Sequence, residues 1–277
     1  PVQTTYESAP VSIPTEFLTT SPPDAHPIIF TPIDFSQSPV PEFAGGYAII
    51  LDHVLSPSEC TTLLRLAESS VLLQDHTSGT SPWKPAMVNI GGGFEILEPE
   101  YRNSDRIIWD QQEIVDRIWT RITAQVPEVM EQLGYFNEAQ FLGGKVPLSG
   151  RMPAHWAFHR VNQRMRFLKY GPGQFFRPHC DGPYEELGGN GQILRTHFTL
   201  HLYLNDSKQA VGEEEKEGVE LVGGATSFLS YDDKKKMDVD PKAGRVLIFQ
   251  HRRLYHSGDD VLAGTKYTVR TDIMYEL

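Results

Sequence analysis

The segment THFTLHLYLN, residues 196–205, alternates between apolar and polar side chains. The apolar members are Phe198, Leu200, Leu202 and Leu204, and the polar members are His197, Thr199, His201 and Tyr203. Successive side chains of a β-strand point to opposite faces of a sheet. The segment therefore predicts a strand with one buried apolar face and one face that carries polar groups.

Short runs rich in β-branched and aromatic residues flank this strand and are separated by Gly, Pro and Asp. They predict strands near residues 164–170, 174–180, 225–230, 245–250 and 266–275, in addition to 196–204. Many short strands divided by turn residues favour a sandwich or barrel over alternating strands and helices. We predict an α+β, mainly β fold with a jelly-roll (double-stranded β-helix) core at residues 161–277.

Upstream of this core the patterns change to those of helices and an irregular arm. In LSPSECTTLLRLAES (55–69), Ser56, Pro57 and Glu59 have the spacing of a capping box with proline at the first helical position. Apolar residues at spacings of three and four predict a second helix from about Gln111 to Leu133, interrupted at Pro127. We predict helical support over residues 46–160, which with the core forms a single domain over 46–277. Residues 1–45, rich in Pro, Ser and Thr, are predicted to be an irregular arm, either loose or draped over the core.

The composition argues against two classes of partner. The 277 residues carry a net charge of −11, whereas binding to nucleic acid phosphates needs clustered Lys and Arg. No stretch approaches the ~20 consecutive apolar residues of a membrane span. Residues 1–10 lack the features of a secretory signal, and Cys60 and Cys180 form no disulfide framework. We therefore predict a cytoplasmic protein that binds neither nucleic acid nor membrane, with no indication of its oligomeric state.

A candidate metal site lies in RFLKYGPGQFFRPHCDG (166–182), where His179 and Asp181 fall on the same side of an extended chain. Such a pair alone is common in a chain with 10 His and 36 acidic residues. The segment before the last predicted strand adds two more imidazoles, His251 and His256. Two imidazoles and one carboxylate on one face of an octahedral ion form the facial triad of non-haem Fe(II) oxygenases, which leaves room for a 2-oxo acid and dioxygen. The second carboxylate of such an acid needs a cation deeper in the barrel, where Lys266 and Arg270 face the same side of their strand.

Four motifs follow one another along this half of the chain. They are Arg166, Tyr170 and Gly173 before His-x-Asp at 179–181, the strand residues Thr199, Tyr203, Leu204 and Asn205, GGATSF at 223–228, and HSGDDVLAGTK at 256–266. In this order they resemble the Fe(II)/2-oxoglutarate-dependent dioxygenases of the prolyl 4-hydroxylase type. The resemblance extends from about Tyr47 to Tyr275, with Phe176 at a position where many prolyl hydroxylases carry Tyr.

The resemblance implies His179, Asp181 and His256 as iron ligands and as the catalytic centre. His251 is the competitor, but it lacks the downstream Gly-x-Lys spacing. Lys266 is implied to hold the distal carboxylate of 2-oxoglutarate. Tyr203 is implied to donate a hydrogen bond to the same carboxylate, and Tyr170 to donate one nearer the iron. Arg270 is implied to bind either cosubstrate or substrate. The implied cofactors are Fe(II), 2-oxoglutarate and O2, with ascorbate as an optional reductant.

The resemblance also implies the reaction but leaves the substrate open. Oxidation of an unactivated C–H bond, usually hydroxylation, is coupled to release of succinate and CO2, although desaturation or ring closure uses the same ligands. We expect a small molecule or amino acid as substrate, with a protein or peptide prolyl residue as the alternative. A non-catalytic jelly-roll binding protein and an oxidase or isomerase that needs no oxo acid are further alternatives.

Several residues are candidate substrate contacts, each with a packing or solvated role as its alternative. They are Arg195, His197, His201 and Asn162. The segment RNSDR, residues 102–106, resembles the family's N-terminal part and is expected to border the mouth of the site.

Overall fold

The computed structural model describes residues 1–3, 6–72, 81–141 and 154–277. Strands make up 39% of the chain and helices 17%, which confirms the mainly β fold class. The helices are α1 Pro57–Ser69, α2 Gln112–Gln125, α3 Glu128–Leu133 and α4 Glu138–Phe141. The strands are β1 Val2–Gln3, β2 Ile29–Pro32, β3 Ala48–Asp52, β4 Lys84–Pro85, β5 Val88–Gly91, β6 Phe94–Ile96, β7 Arg102–Asn103, β8 Asp105–Asp110, β9 Tyr135–Asn137, β10 His155–Val161, β11 Arg164–Tyr170, β12 Phe175–His179, β13 Glu185–Leu187, β14 Ile193–Tyr203, β15 Val222–Gly223, β16 Thr226–Leu229, β17 Lys236–Val239, β18 Val246–Gln250, β19 His256–Gly258, β20 Val261–Ala263 and β21 Lys266–Glu276.

A capping box begins the first predicted helix, and a proline interrupts the second. At the start of α1 the Ser56 hydroxyl accepts a hydrogen bond from the Glu59 backbone N–H at 3.2 Å, and the Glu59 carboxylate accepts one from the Ser56 N–H at 2.9 Å. This reciprocal capping box satisfies two N–H groups that the helix itself leaves unpaired. The second predicted helix is interrupted at Pro127, which separates α2 from α3.

Two antiparallel sheets form the jelly roll. The larger sheet has the strand order β2-β3-β18-β14-β21-β11-β8-β4, and the smaller has the order β17-β16-β19-β12-β7. The six strands predicted within the core correspond to β11, β12, β14, β16, β18 and β21, to within a few residues at their ends. The apolar face of β14 belongs to the main hydrophobic core, whereas Thr199 and His201 on its polar face line a cavity together with residues of the smaller sheet. The alternation read from the sequence therefore predicts correctly which face of β14 carries the polar contacts.

The N-terminal arm packs on the core. Strand β2 pairs with β3 at the edge of the larger sheet, and Phe35, Val40 and Phe43 are fully buried in a second apolar cluster. Of the two alternatives for the arm, the structure shows the draped one. Strand β1 pairs with β6, so the start of the arm lies against the hairpin of β5 and β6.

The segment predicted as helical support also contributes strands to the larger sheet, which the sequence analysis missed. Strand β8 pairs with β11, and β10 pairs with β21. In β8, Arg106, Ile107 and Trp109 are buried, and a run of six residues whose buried positions do not strictly alternate gives too few repeats for a clear period.

Among the described residues, no helix combines the length and the apolar character that a bilayer crossing requires.

Candidate metal centre

Three candidate ligands come together at one edge of the smaller sheet. His179 is the last residue of β12, His256 is the first of β19, and the two are directly paired across the antiparallel ladder. Asp181 lies two residues beyond the end of β12. Its carboxylate oxygens lie 3.6 Å from His179 Nε2 and 3.8 Å from His256 Nε2. One potential ligand atom from each residue lies within 4.8 Å of the other two, and within the described part of the chain this is the one such group of three.

Backbone carbonyls fix the tautomer of both histidines. His179 Nδ1 lies 2.8 Å from the carbonyl oxygen of Arg177, and His256 Nδ1 lies 2.9 Å from that of Leu254. Because a carbonyl oxygen only accepts, each Nδ1 carries the proton and each Nε2 keeps its lone pair for a ligand. Burial, together with the nearby charge of His179, lowers the pKa of His256 to about 4. The imidazole of His256 is therefore neutral at physiological pH, as metal binding requires.

Asp181 is held as a carboxylate. Burial by itself would raise its pKa, but the positive charge of Arg270, together with the two neighbouring imidazoles, outweighs burial and holds the pKa well below its usual range. Arg270 Nη2 lies 3.1 Å from Asp181 Oδ1, and the Thr199 hydroxyl donates a hydrogen bond to Oδ2. The centre thus offers the Nε2 atoms of two imidazoles and one anionic oxygen, a donor set suited to Fe(II).

A small cavity opens from the three ligands into the space between the sheets. We call it the central cavity; besides the three ligands its lining includes Arg102, Tyr170, Phe176, Thr199, His201, Thr226, Lys266 and Arg270. Lys266 and Arg270 both project from β21 into it, as their spacing of four predicts. Tyr170 also lines it.

Lys266 is the central cavity's buried cation. Its side chain is 2% exposed, and this burial lowers the pKa of its ammonium to about 8. The ammonium lies 5.0 Å from the centre of the Tyr170 ring and 5.8 Å from that of Tyr203. Gly224 makes room for this side chain, since a Cβ at that position would lie 3.1 Å from Lys266 Cδ. A buried ammonium without a carboxylate among the described residues fits a site for an anionic group of a ligand.

Tyr203 and His201 share the polar face of β14 but have different surroundings. The Tyr203 hydroxyl donates to the Thr226 hydroxyl at 2.6 Å and approaches the Val239 carbonyl oxygen at 3.4 Å, and Tyr203 does not line the central cavity. The Tyr203 ring belongs to the second apolar cluster, which also contains Phe35, Val40 and Phe43. His201, predicted as a substrate contact, lines the central cavity near Lys266.

The remaining predicted substrate contacts lie outside the central cavity. Arg195 and His197 line a separate cavity together with His251, and Arg195 forms an ion pair with Glu185 at 3.1 Å. His197 packs against Trp156, and burial lowers its pKa to about 3. These two side chains are therefore engaged in local packing and pairing.

Asn162 and His251 also have local partners. The Asn162 side-chain oxygen accepts a hydrogen bond from the Arg164 backbone N–H at 3.0 Å, which stabilises the turn between β10 and β11. His251 Nε2 lies 3.4 Å from Asp272 Oδ1 and is not part of the three-residue group. Arg270 lies 3.1 Å from an oxygen of each of two carboxylates, those of Asp181 and Asp272.

Residues 165–271 match the family model of the 2OG-Fe(II) oxygenase superfamily. The chain carries a 2OG-Fe(II) oxygenase domain. The matched segment of the oxygenase contains all three candidate ligands together with Lys266 and Arg270. The predicted family of Fe(II)/2-oxoglutarate-dependent oxygenases and the predicted enzyme class, an oxidoreductase of the dioxygenase type, are confirmed.

Solved structures similar to the oxygenase include three prolyl hydroxylases. A Pseudomonas putida prolyl-4-hydroxylase is 15% identical over 87% of this chain and 95% of its own, with a TM-score of 0.46. The viral collagen prolyl hydroxylase of Paramecium Bursaria Chlorella virus-1 is 19% identical over 84% and 98%, with a TM-score of 0.45. A Trichoplax adhaerens prolyl hydroxylase in complex with a hypoxia inducible factor peptide fragment is 16% identical over 83% of each chain, with a TM-score of 0.46. Structural similarity at these identities and TM-scores does not indicate the substrate of this oxygenase. No curated protein sequence matches the chain.

The sequence analysis gave no role to two hydroxyl residues of the oxygenase site. Thr199, which donates to Asp181, stands on the polar face of β14 beside His201, so alternation places it correctly but does not give its partner. Thr226, the partner of Tyr203, lies within the GGATSF motif. Nothing in the sequence indicates that it would separate the Tyr203 hydroxyl from the central cavity.

Proposed function

We propose that the oxygenase oxidises an unactivated C–H bond, usually by hydroxylation, of a small molecule or amino acid. The observation that carries this proposal is the convergence of His179, Asp181, His256 and the unpaired ammonium of Lys266 on one buried cavity. Fe(II) with 2-oxoglutarate and O2 supplies the oxidation, with release of succinate and CO2, and ascorbate serves as an optional reductant. The single domain is proposed to span 46–277, with the arm at 1–45, support at 46–160 and the core at 161–277.

In this proposal the protein would hold the metal ion, orient its ligands and enclose the site. His179 and His256 present Nε2 lone pairs because their Nδ1 protons are bound to backbone carbonyls. Asp181 completes the ligand set as an ionised carboxylate that Thr199 and Arg270 keep in place. A carboxylate at this position fills the site that halogenases leave for chloride, which favours hydroxylation over halogenation. The burial of the site excludes water, so each of these interactions is stronger than it would be in solvent.

Lys266 is proposed to bind the distal carboxylate of 2-oxoglutarate. His201 is suited to assist, because burial and the charges of Lys266 and Arg270 hold its pKa well below its usual range. Its imidazole is therefore neutral, and its Nε2 has no hydrogen-bond partner among the described residues. Tyr170 lines the same cavity and remains the candidate donor nearer the metal.

Thr199→Val is expected to weaken metal binding about 10–100-fold, the usual cost of removing a hydrogen bond to a metal ligand. The change keeps the shape of the buried side chain and removes the donor to Asp181, together with a weak acceptor 3.5 Å from Arg270 Nη2. Calorimetric titration of the metal-free protein with Co(II) measures the effect. Thr268→Val is the matched control, because the Thr268 hydroxyl is buried without a hydrogen-bond partner in the described structure. Equal affinities in the two variants would contradict the role given to Thr199.

The pH dependence of cosubstrate use is expected to follow Lys266. Burial lowers the pKa of Lys266 to about 8, Asp259 opposes this shift, and the neighbouring His201, Tyr170 and Tyr203 are neutral near that pH. The free enzyme holds the needed positive charge below pH 8 and loses it above. We expect kcat/KM for 2-oxoglutarate to be flat below this pKa and to fall about tenfold per pH unit above it. In Lys266→Arg, which stays charged, the fall should disappear; the same fall in that variant would assign it to another group.

The experiment that tests the function is a screen for succinate release by the iron-loaded enzyme with 2-oxoglutarate. Free amino acids, small organic acids and prolyl peptides serve as candidate substrates. Stimulation by a free small molecule supports the proposal, and stimulation by prolyl peptides alone would favour the peptide hydroxylase. Absence of succinate under every condition would favour a non-catalytic binding protein, and turnover without 2-oxoglutarate would favour an oxidase or isomerase.

The cytoplasm remains the proposed location. Both cysteines are free thiols, Cys60 buried and Cys180 exposed, as is usual in a reducing compartment.

A further inference from the structure

Arg102 stands at the junction of the central cavity and a wide outer groove. It lines both spaces, and the groove is also lined by the arginines at positions 106, 160, 164, 166 and 270; we call it the arginine groove. Arg102 lies in β7, directly opposite Phe176 in β12. Its guanidinium lies 4.7 Å from the centre of the Phe176 ring, and that ring stacks on His179 with 3.8 Å between ring centres. One aromatic ring therefore separates the charge of Arg102 from a candidate metal ligand.

Arg102 differs from the other arginines of the groove in its partners. Each of the other five forms an ion pair of 2.6–3.1 Å with a carboxylate. Within the described part of the chain Arg102 has no carboxylate partner. Its Nη1 donates to the Met87 carbonyl oxygen at 3.3 Å, and its buried Nε has no hydrogen-bond partner. A guanidinium has five N–H groups in a planar fork, so most of its donor capacity is unused.

This is an unfavourable place for an unpaired cation. Arg102 is 9% exposed, and burial lowers its pKa to about 10. Tyr170 opposes this shift, whereas the like charges of Arg106, Arg270 and Arg166 add to it. A buried charge is usually paired, and leaving one unpaired destabilises the fold. A cation kept here without a counterion is typical of a site whose anion arrives with a ligand.

The cosubstrate does not supply that anion. In the proposed function the metal centre would take one carboxylate of 2-oxoglutarate, and Lys266 would take the other. Arg270, the remaining cation of the central cavity, already pairs with Asp181 and Asp272. Arg102 is thus left for a third carboxylate.

We propose that Arg102 binds a carboxylate of the substrate, so that the substrate is a small organic acid or a free amino acid whose reacting carbon lies near that carboxylate. This inference rests on the proposed function for the site of oxidation. The Phe176 ring lies 4.7 Å from the guanidinium carbon and supports the cation, whose N–H groups can bind a carboxylate bidentately. The hydroxyl that many prolyl hydroxylases carry at this position is replaced here by a surface that supports a cation. An internal peptidyl proline has no carboxylate to pair with Arg102.

Thermal unfolding of the metal-free protein tests the inference without turnover. The probes are the standard L-amino acids and simple mono- and dicarboxylic acids, each compared with its primary amide. We expect at least one acid to raise the Tm of the wild type and its amide to have no effect. Arg102→Met should weaken binding of that acid about 30-fold or more, the loss typical of a charge-assisted bidentate pair, and Arg102→Lys should restore part of it. Lys266→Met is the matched control: it should keep the response to that acid and lose the response to 2-oxoglutarate.

Four results would overturn the inference. They are an equal response to acid and amide, an unchanged response in Arg102→Met, no response of the wild type to any acid, and a response only to prolyl peptides with blocked ends, which serve as a further probe. The last result would favour the peptide hydroxylase. Succinate release by the iron-loaded wild type separates the two proposals. If succinate forms while the acids fail to act through Arg102, the proposed chemistry stands and the substrate class is wrong.

Discussion

His256→Ala is expected to abolish succinate release by this oxygenase, and His179→Ala to do the same. Each change removes one of two neutral nitrogens that are oriented by a backbone carbonyl, and alanine offers no replacement ligand. Loss of a group that hydrogen-bonds to a metal ligand already lowers metal affinity about 10–100-fold. Loss of a ligand itself should therefore lower it more than about 100-fold. Calorimetric titration with Co(II) and succinate release at saturating Fe(II) measure the two effects.

His251→Ala is the control for these variants. His251 is as buried as His256 and interacts with Asp272, but it lies in a separate cavity. We expect this variant to bind Co(II) with wild-type affinity and to keep most of its activity. Loss of Co(II) binding in His251→Ala, with normal binding in His256→Ala, would show that the ligand was assigned to the wrong histidine.

The sequence predicts the identity of the candidate ligands better than it predicts how they are placed. Alternation along a strand was the reason for pairing His179 with Asp181, but β12 ends at His179, and Asp181 reaches the centre from the segment that follows. The direct pairing of His179 with His256 joins residues that are 77 positions apart. No local pattern contains this contact, and only the order of the motifs along the chain indicated it.

Side-chain reach explains why Tyr203 and His201 have different surroundings. The two residues share a face of β14, so alternation alone predicts the same surroundings for both. The longer Tyr203 side chain extends past Lys266 to Thr226, whereas His201 stays beside the lysine. Which of two residues on one face meets a ligand depends on the opposite sheet, and the sequence of a single strand does not contain that information.

Lys266→Met is expected to make the oxygenase more stable and nearly unable to use 2-oxoglutarate. Methionine has a similar length and fills the space beside Gly224 without a charge. Burial lowers the lysine pKa from 10.5 to about 8, and each pKa unit corresponds to about 1.4 kcal/mol. We therefore expect the free energy of unfolding at pH 7 to rise by about 1–3 kcal/mol in urea titrations. The KM for 2-oxoglutarate should rise about 100-fold or more, because the distal carboxylate loses its charged partner.

The pH dependence of the stability gain in Lys266→Met distinguishes two causes, removal of a buried charge and better packing. A lysine whose pKa is lower in the folded state binds fewer protons there than in the unfolded state between pH 8 and 10.5. The penalty is thus complete below pH 8 and fades as the pH approaches 10.5, so the advantage of Lys266→Met should shrink over that range.

Lys208→Met, at an exposed lysine, should change neither stability nor KM. If Lys266→Met gained stability at every pH equally, better packing would be the cause. If the KM also stayed normal, the cosubstrate carboxylate would have to bind another cation of the cavity, and Arg102 would be the first to test.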